Sequence, residues 1–132
     1  MKTHLIDSSV IIDYLRGKKE TVDLIENIEG DLTSSYICLA ELFEGIYRVK
    51  DRKHAKDITL RFFASLSSVF GLDEKIAEKF GQIRKEVKLK GNIIEDLDIF
   101  IASTCIVYDL TLITHNKEHF SRVKDLKIYS YN

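Results

Sequence analysis

Glu95, Asp96 and Asp98 fall within four residues of one another, at the head of one of the most apolar runs in the chain. Ile99, Phe100, Ile101, Ala102, Cys105, Ile106 and Val107 follow, apolar on nearly every side of a helix. Such a helix is a buried one. Carboxylates are costly to bury without a partner. One acid can cap the helix, and the helix dipole favours negative charge at that end. Three acids exceed that need. A divalent cation takes oxygen ligands and relieves their mutual repulsion. On this stretch alone, capping and cation binding both stand.

Other acids must come from elements that reach the same place. Residues 3–7 read as a strand ending in Asp7, with Ser8 and Ser9 as turn and cap before a helix that Gly17 stops. Residues 18–29 are helical in spacing, and 31–34 form a second strand. An apolar helix over 36–49 is interrupted by Glu41 and Glu44. A polar helix over 51–66 and a weak strand over 67–70 come next. Asp73 caps a long helix to about Lys90, with Ile76, Phe80, Ile83 and Val87 on one face. The acid-headed helix then runs to about Tyr108. A strand over 110–114, a turn or short helix over 116–120 and a last strand over 127–131 complete the chain.

Alternating strands and helices predict an α/β fold, a parallel sheet with helices on both faces. Ligands of such sheets bind beyond the carboxyl ends of the strands. Asp7 ends the first strand, and Asn116 lies just past the strand over 110–114. Asp98 opens the helix feeding that strand, and Glu41 follows the second strand. If the first and fourth strands are neighbours, these groups meet at one edge. Each has a structural alternative. Asp7 can introduce a helix, Glu41 can reach solvent, and Asn116 is a common turn residue. Glu44 fits an i, i+4 partner of Arg48. Either Asp96 or Asp98 is the N-cap and the other the working acid. The coincidence of several acids at one edge favours a site.

At 132 residues the chain reads as a single domain spanning 1–132, with 45% apolar and 31% charged residues. A formal net charge of −1 gives no global signature for nucleic acid. Local basic clusters exist: Arg84, Lys85, Lys88 and Lys90, and Arg16, Lys18 and Lys19. Either could contact phosphates, although such charges more often form a solvated face. Cys38 and Cys105 read as small hydrophobes in a reducing compartment. No run approaches the ~18 apolar residues of a membrane span, and no secretory leader is evident. The expected location is cytoplasmic.

Four segments together resemble the PIN-domain nucleases, and most closely their VapC toxin branch. They are residues 5–13 (LIDSSVIID), 40–45 (AELFEG), 93–102 (IIEDLDIFIA) and 112–120 (LITHNKEHF). The resemblance covers essentially the whole chain. It implies a PIN-like three-layer α/β/α sandwich with a mainly parallel sheet. It also implies a metal-dependent endoribonuclease using Mg²⁺ or Mn²⁺, the toxin of a type II toxin–antitoxin pair. Asp7, Glu41 and Asp98 would be the acidic core, with Asp7 and Asp98 on the main ion and Glu41 on a second ion or the attacking water. Ser8 and Thr114 correspond to supporting hydroxyl residues, and Asp96 is an extra acid. Asn116 stands where many members carry a fourth aspartate, which weakens a second metal position. Implied partners are RNA, a VapB-like antitoxin whose C-terminal segment lies over the active site, and a second copy in a homodimer. The helix over 36–49 is a candidate groove wall.

Three rival readings remain. His115-Asn116-Lys117-Glu118-His119 matches the H-x-x-E-H pattern of a zinc peptidase, which needs one continuous helix. A receiver domain shares the alternation, but needs a phosphorylated Asp ending a central strand. A PIN fold whose acids serve only binding is the third.

Overall fold

A computed structural model of the chain describes residues 2–129. β1 (Thr3–Ile6) leads into α1 (Ser8–Leu15) and α2 (Lys19–Asn27). β2 (Asp31–Ser35) leads into α3 (Tyr36–Ile46) and α4 (Arg52–Ala64). β3 (Ser68–Phe70) leads into α5 (Glu74–Leu89) and α6 (Asp96–Val107), and β4 (Thr111–Ile113) into α7 (Lys117–Phe120). The sheet is parallel throughout, in the order β3-β2-β1-β4. The first two crossovers step one way along the sheet and the third steps back. Right-handed crossovers therefore put α1–α4 on one face and α5–α6 on the other. The result is the expected α/β/α sandwich, with β1 and β4 adjacent.

Leu5 and Ile6 of β1 and Leu112 and Ile113 of its neighbour β4 are fully buried. A parallel strand covered on both faces needs apolar residues in succession, and these pairs supply them. α6 is enclosed on several sides, with Ile99, Ile101, Ala102 and Cys105 almost completely buried. Its buried Ser103 and Thr104 hydroxyls bond to the carbonyls of Ile99 and Phe100 at 2.6 and 2.8 Å, so neither is left unsatisfied. α5 is amphipathic. Its Ile76, Ile83 and Val87 are buried, and Phe80 stacks on Phe100 of α6 with ring centroids 4.1 Å apart.

Three boundaries differ from expectation. The first strand ends at Ile6, because Asp7 has left the ladder to become the N-cap of α1, which starts at Ser8. The N-cap of α6 is Glu95, so neither Asp96 nor Asp98 holds that place. Of the strand expected over 127–131, the described residues form one parallel bridge, Leu112 to Ile128, and Ser130 lies outside them. β4 offers only three residues to pair with, and Tyr131 lies outside the described residues. The strand that a receiver domain would need at the centre is β3, and it stands at the sheet edge.

The alignment of β2 on β1 sets the spacing of the site above it. Buried side chains reinforce the ladder: Thr33 donates to the His4 carbonyl at 2.7 Å and Ser34 to the Ile6 carbonyl at 2.8 Å. The turn entering β2 depends on Gly30, whose φ of +103° suits glycine alone. A Cβ there would also overlap the Lys2 carbonyl oxygen, the acceptor for Asp31 N–H. Gly30→Ala should therefore cost about 2 kcal/mol or more, read as a lowered midpoint in urea denaturation.

Candidate active site

Asp7 leaves the end of β1 with its backbone N–H bonded to the Ile113 carbonyl of β4 at 2.9 Å. Its side chain, 5% exposed, collects neutral donors. Oδ1 accepts from Ser8 N–H at 2.9 Å, and Oδ2 from the Thr114 hydroxyl at 2.7 Å and the Ser9 hydroxyl at 3.3 Å. Thr114 Oγ1 in turn accepts from Asn116 N–H at 3.0 Å. The loop after β4 thus clamps the Asp7 carboxylate from one side while α1 begins on the other.

α3 brings Glu41 to the same point. Its carboxylate accepts from the Ser8 hydroxyl at 3.1 Å. One turn earlier on the same face of α3 is Cys38, fully buried, with its sulfur 4.0 Å from Asp7 Oδ1. Ligand atoms of Asp7, Cys38 and Glu41 all lie within 4.8 Å of one another, close enough to converge on a single cation. Sequence reading treated Cys38 as a small hydrophobe. The usable signal was its spacing, three residues before Glu41 on a helix.

Asp98, in the first turn of α6, faces this group without belonging to the tight cluster. The coupling is electrostatic. Burial first, then the charge of Asp7, then Glu95, push the Asp98 carboxyl up to about 6, with His119 opposing. Burial and then Asp7 push Glu41 up to about 7, Asp98 adding to the shift. Asp7 is also raised, chiefly by burial, against the hydrogen bonds of Thr114, Ser8 and Ser9 and the positive side of His115. Raised carboxyls of this kind mark negative charge gathered without full compensation. Oxygen donors crowded in this way fit a hard divalent cation.

The remaining expected residues fall into place differently. Asp96 points elsewhere and pairs with Arg84 at 3.0 Å, which also engages one of the basic side chains of that cluster. Being next to the N-cap, it projects from the opposite side of the helix start to Asp98. Lys18 of the other cluster reaches Asp13 at 3.6 Å. The Asn116 amide lies 2.9 Å from His119 Nδ1, so its side chain belongs to the rim beside Asp98's neighbour. Glu44 pairs with Arg48 at 2.8 Å, as expected. His115 Nε2 bonds Asp13 at 2.8 Å. It precedes the four-residue α7, so it shares no helical face with His119 and the zinc-peptidase geometry does not form.

Beside Glu41 an apolar groove of about 200 Å³ runs between α1, α3 and α4. Ile12, Leu15, Leu42, Ile46, Val49 and Ile58 line it, with Arg16 and Glu41 as its charged members.

The PIN domain family matches residues 4–126 of the chain. Ribonuclease VapC1 of Methanocaldococcus jannaschii is 35% identical over 127 residues, 95% of this chain and 85% of that protein. Ribonuclease VapC19 of Mycobacterium tuberculosis is 30% identical over 127 residues, 93% of this chain and 96% of that protein. Among solved structures, VapBC2 from Rickettsia felis bound to a DNA fragment from its promoter superposes with a TM-score of 0.87 at 24% identity, covering 98% and 99% of the two chains. DNA-bound VapBC from Salmonella typhimurium gives 0.86 at 25% identity, covering 98% of each.

The raised carboxyls carry a stability signature. Folded Glu41 and Asp98 keep protons that the unfolded chain has released between about pH 4.5 and about pH 7. The native state binds more protons in that window, so stability falls as pH rises through it. With divalent ions removed by a chelator, the denaturation midpoint should be lower at about pH 7.5 than at about pH 5.5. Glu41→Gln should flatten that fall, and added manganese should reverse it in the unmodified protein.

Proposed function

The chain belongs to the PIN domain family, and on that premise we propose that it is a metal-dependent endoribonuclease, the toxin of a VapBC-type toxin–antitoxin pair, working as a single domain in the cytoplasm. The observation that supports this reading is the close approach of Asp7 and Glu41, from separated segments, with Asp98 of a third segment coupled to Asp7 through its charge. Two of their carboxyls are pushed up to about 7 and about 6 by burial and by one another's charge. The names of the curated relatives, ribonucleases of the VapC type, support the same activity.

Magnesium or manganese, when bound, supplies a water acidic enough to attack a phosphodiester and a positive charge for the phosphorus centre. Asp7 and Glu41 would hold the ion, with Asp98 facing it from α6. Thr114 and Ser9 keep Asp7 in one orientation, so its oxygens need no rearrangement as the reaction proceeds. Ser8 does the same for Glu41. Asn116 and His119 stand on the rim beside Asp98, where an incoming strand would pass. Exposed Lys85, Lys88 and Lys90 on and just past α5 are the available phosphate contacts of the first basic cluster.

The groove between α1, α3 and α4 suits an amphipathic segment of an antitoxin of the VapB kind. Its apolar walls would take apolar side chains, and Glu41 at its end would attract a basic one. A homodimer belongs to the same reading. The relatives' solved complexes, named as VapBC assemblies, support a partner of this kind.

Asp98→Asn removes one negative charge at nearly constant volume. RNA cleavage with manganese should fall by about a hundredfold or more, while the circular dichroism spectrum stays that of the parent and the urea midpoint does not fall. Undiminished cleavage by the purified variant would refute the assignment. Val49→Glu, on the exposed groove rim, should weaken binding of the antitoxin encoded in the adjacent reading frame by about tenfold or more, read by calorimetry, and leave RNA cleavage intact.

A further inference from the structure

Cys38 is an unusual neighbour for a site built for a hard cation. Its sulfur is buried against Asp7, and it shares the 4.8 Å ligand cluster with the Asp7 and Glu41 carboxylates. Magnesium discriminates against sulfur and is satisfied by oxygen and water. Zinc and cadmium reverse that preference, since thiolate is the protein ligand they bind most firmly. Two carboxylates and one thiolate are ligand types that zinc accepts, and three of them leave the fourth tetrahedral position open.

We propose that Cys38 makes this site a second kind of metal centre, in which zinc or cadmium is gripped by Asp7, Glu41 and the Cys38 sulfur. The inference rests on the cation-binding reading of the same acids and adds a ligand to it. Because α3 carries Cys38 and Glu41 on one face, a single helix delivers both the soft and the hard donor. Binding forms a metal–sulfur bond and releases the thiol proton to the buffer, with no change of oxidation state. A hard ion has little use for the sulfur, whereas a thiophilic ion takes it as a thiolate ligand. A soft ion seated this way occupies the place of the catalytic one. The consequence is a nuclease silenced by thiophilic metal and restored by a chelator followed by magnesium or manganese.

The test uses cadmium alone with the full-length protein in a phosphine reductant. Cadmium should produce a sulfur-to-metal charge-transfer band in the ultraviolet. Cys38 and Cys105 are the two cysteines of the chain, so Cys105→Ala leaves Cys38 as its single thiol, and the band should persist in that variant. It should vanish in Cys38→Ser, with cadmium affinity down by about tenfold or more relative to manganese affinity. Glu41→Gln should weaken cadmium binding while keeping the band at saturation. No band in Cys105→Ala at any cadmium concentration overturns the proposal, whether or not Cys38→Ser folds. So does a band that survives in Cys38→Ser. Manganese binding and RNA cleavage that persist beside either negative result would confine the failure to the thiol and leave the nuclease reading standing.

Discussion

A carboxylate held in place but not neutralised is the feature around which this molecule is arranged. Asp7 is nearly buried, and the donors that fix it, from Ser8, Ser9 and Thr114, are neutral. Hydrogen bonds from neutral groups orient a charge and lower the cost of burying it without cancelling it. The charge is therefore felt by its neighbours, and Glu41, Asp98 and Cys38 are all shifted upward in part by Asp7. A cation at this place would relieve several groups at once.

The fold makes the arrangement tolerable. Asp7 is the joint of β1, β4 and α1: its N–H bonds Ile113, and its carbonyl accepts from Val10 and Ile11. Pulling the acid out of place would break the entry to a helix and the register of two strands. Behind it Leu5, Ile6, Leu112, Ile113 and Ile101 are closed to solvent. Their burial offsets the repulsion above them, since apolar area removed from water is the main favourable contribution to folding. Stability lost at the carboxyl ends of β1 and β4 is thus offset by the apolar packing beneath them.

The supporting contacts distribute the work between elements. α1 supplies Ser8 and Ser9, the loop after β4 supplies Thr114, and α3 presents Glu41 and Cys38. α3 and α6 also touch each other, which brings the Glu41 face and the Asp98 turn together over the strand ends. Asp96 has a different task. Its pairing with Arg84 ties the start of α6 to α5, beside the Phe80–Phe100 stack that joins the same two helices. Two acids separated by one residue therefore do different things because they leave the helix in different directions.

Alternation of apolar strands with periodic helices was enough to read a parallel α/β sheet, because burial on both faces demands continuous apolar runs and helices demand their own spacing. The run LIDSS, the AE pair at 40–41 and the acids at 95–98 were enough to name the family. Boundaries were less legible. That Asp7 introduces a helix was one of two readings the sequence left open, whereas Glu95 in place of Asp96 depends on backbone angles that no residue type dictates. Among the described residues the final strand is a single bridge, because pairing needs an aligned neighbour, which is a property of two segments. Cys38 as a neighbour of Asp7, Asp96 as a partner of Arg84 and the Asn116–His119 contact were invisible along the chain. Distances between residues far apart in sequence are set by how helices pack on the sheet, so the identity of the donors was written in the chain, and which of them share a cation-sized space was decided when it folded.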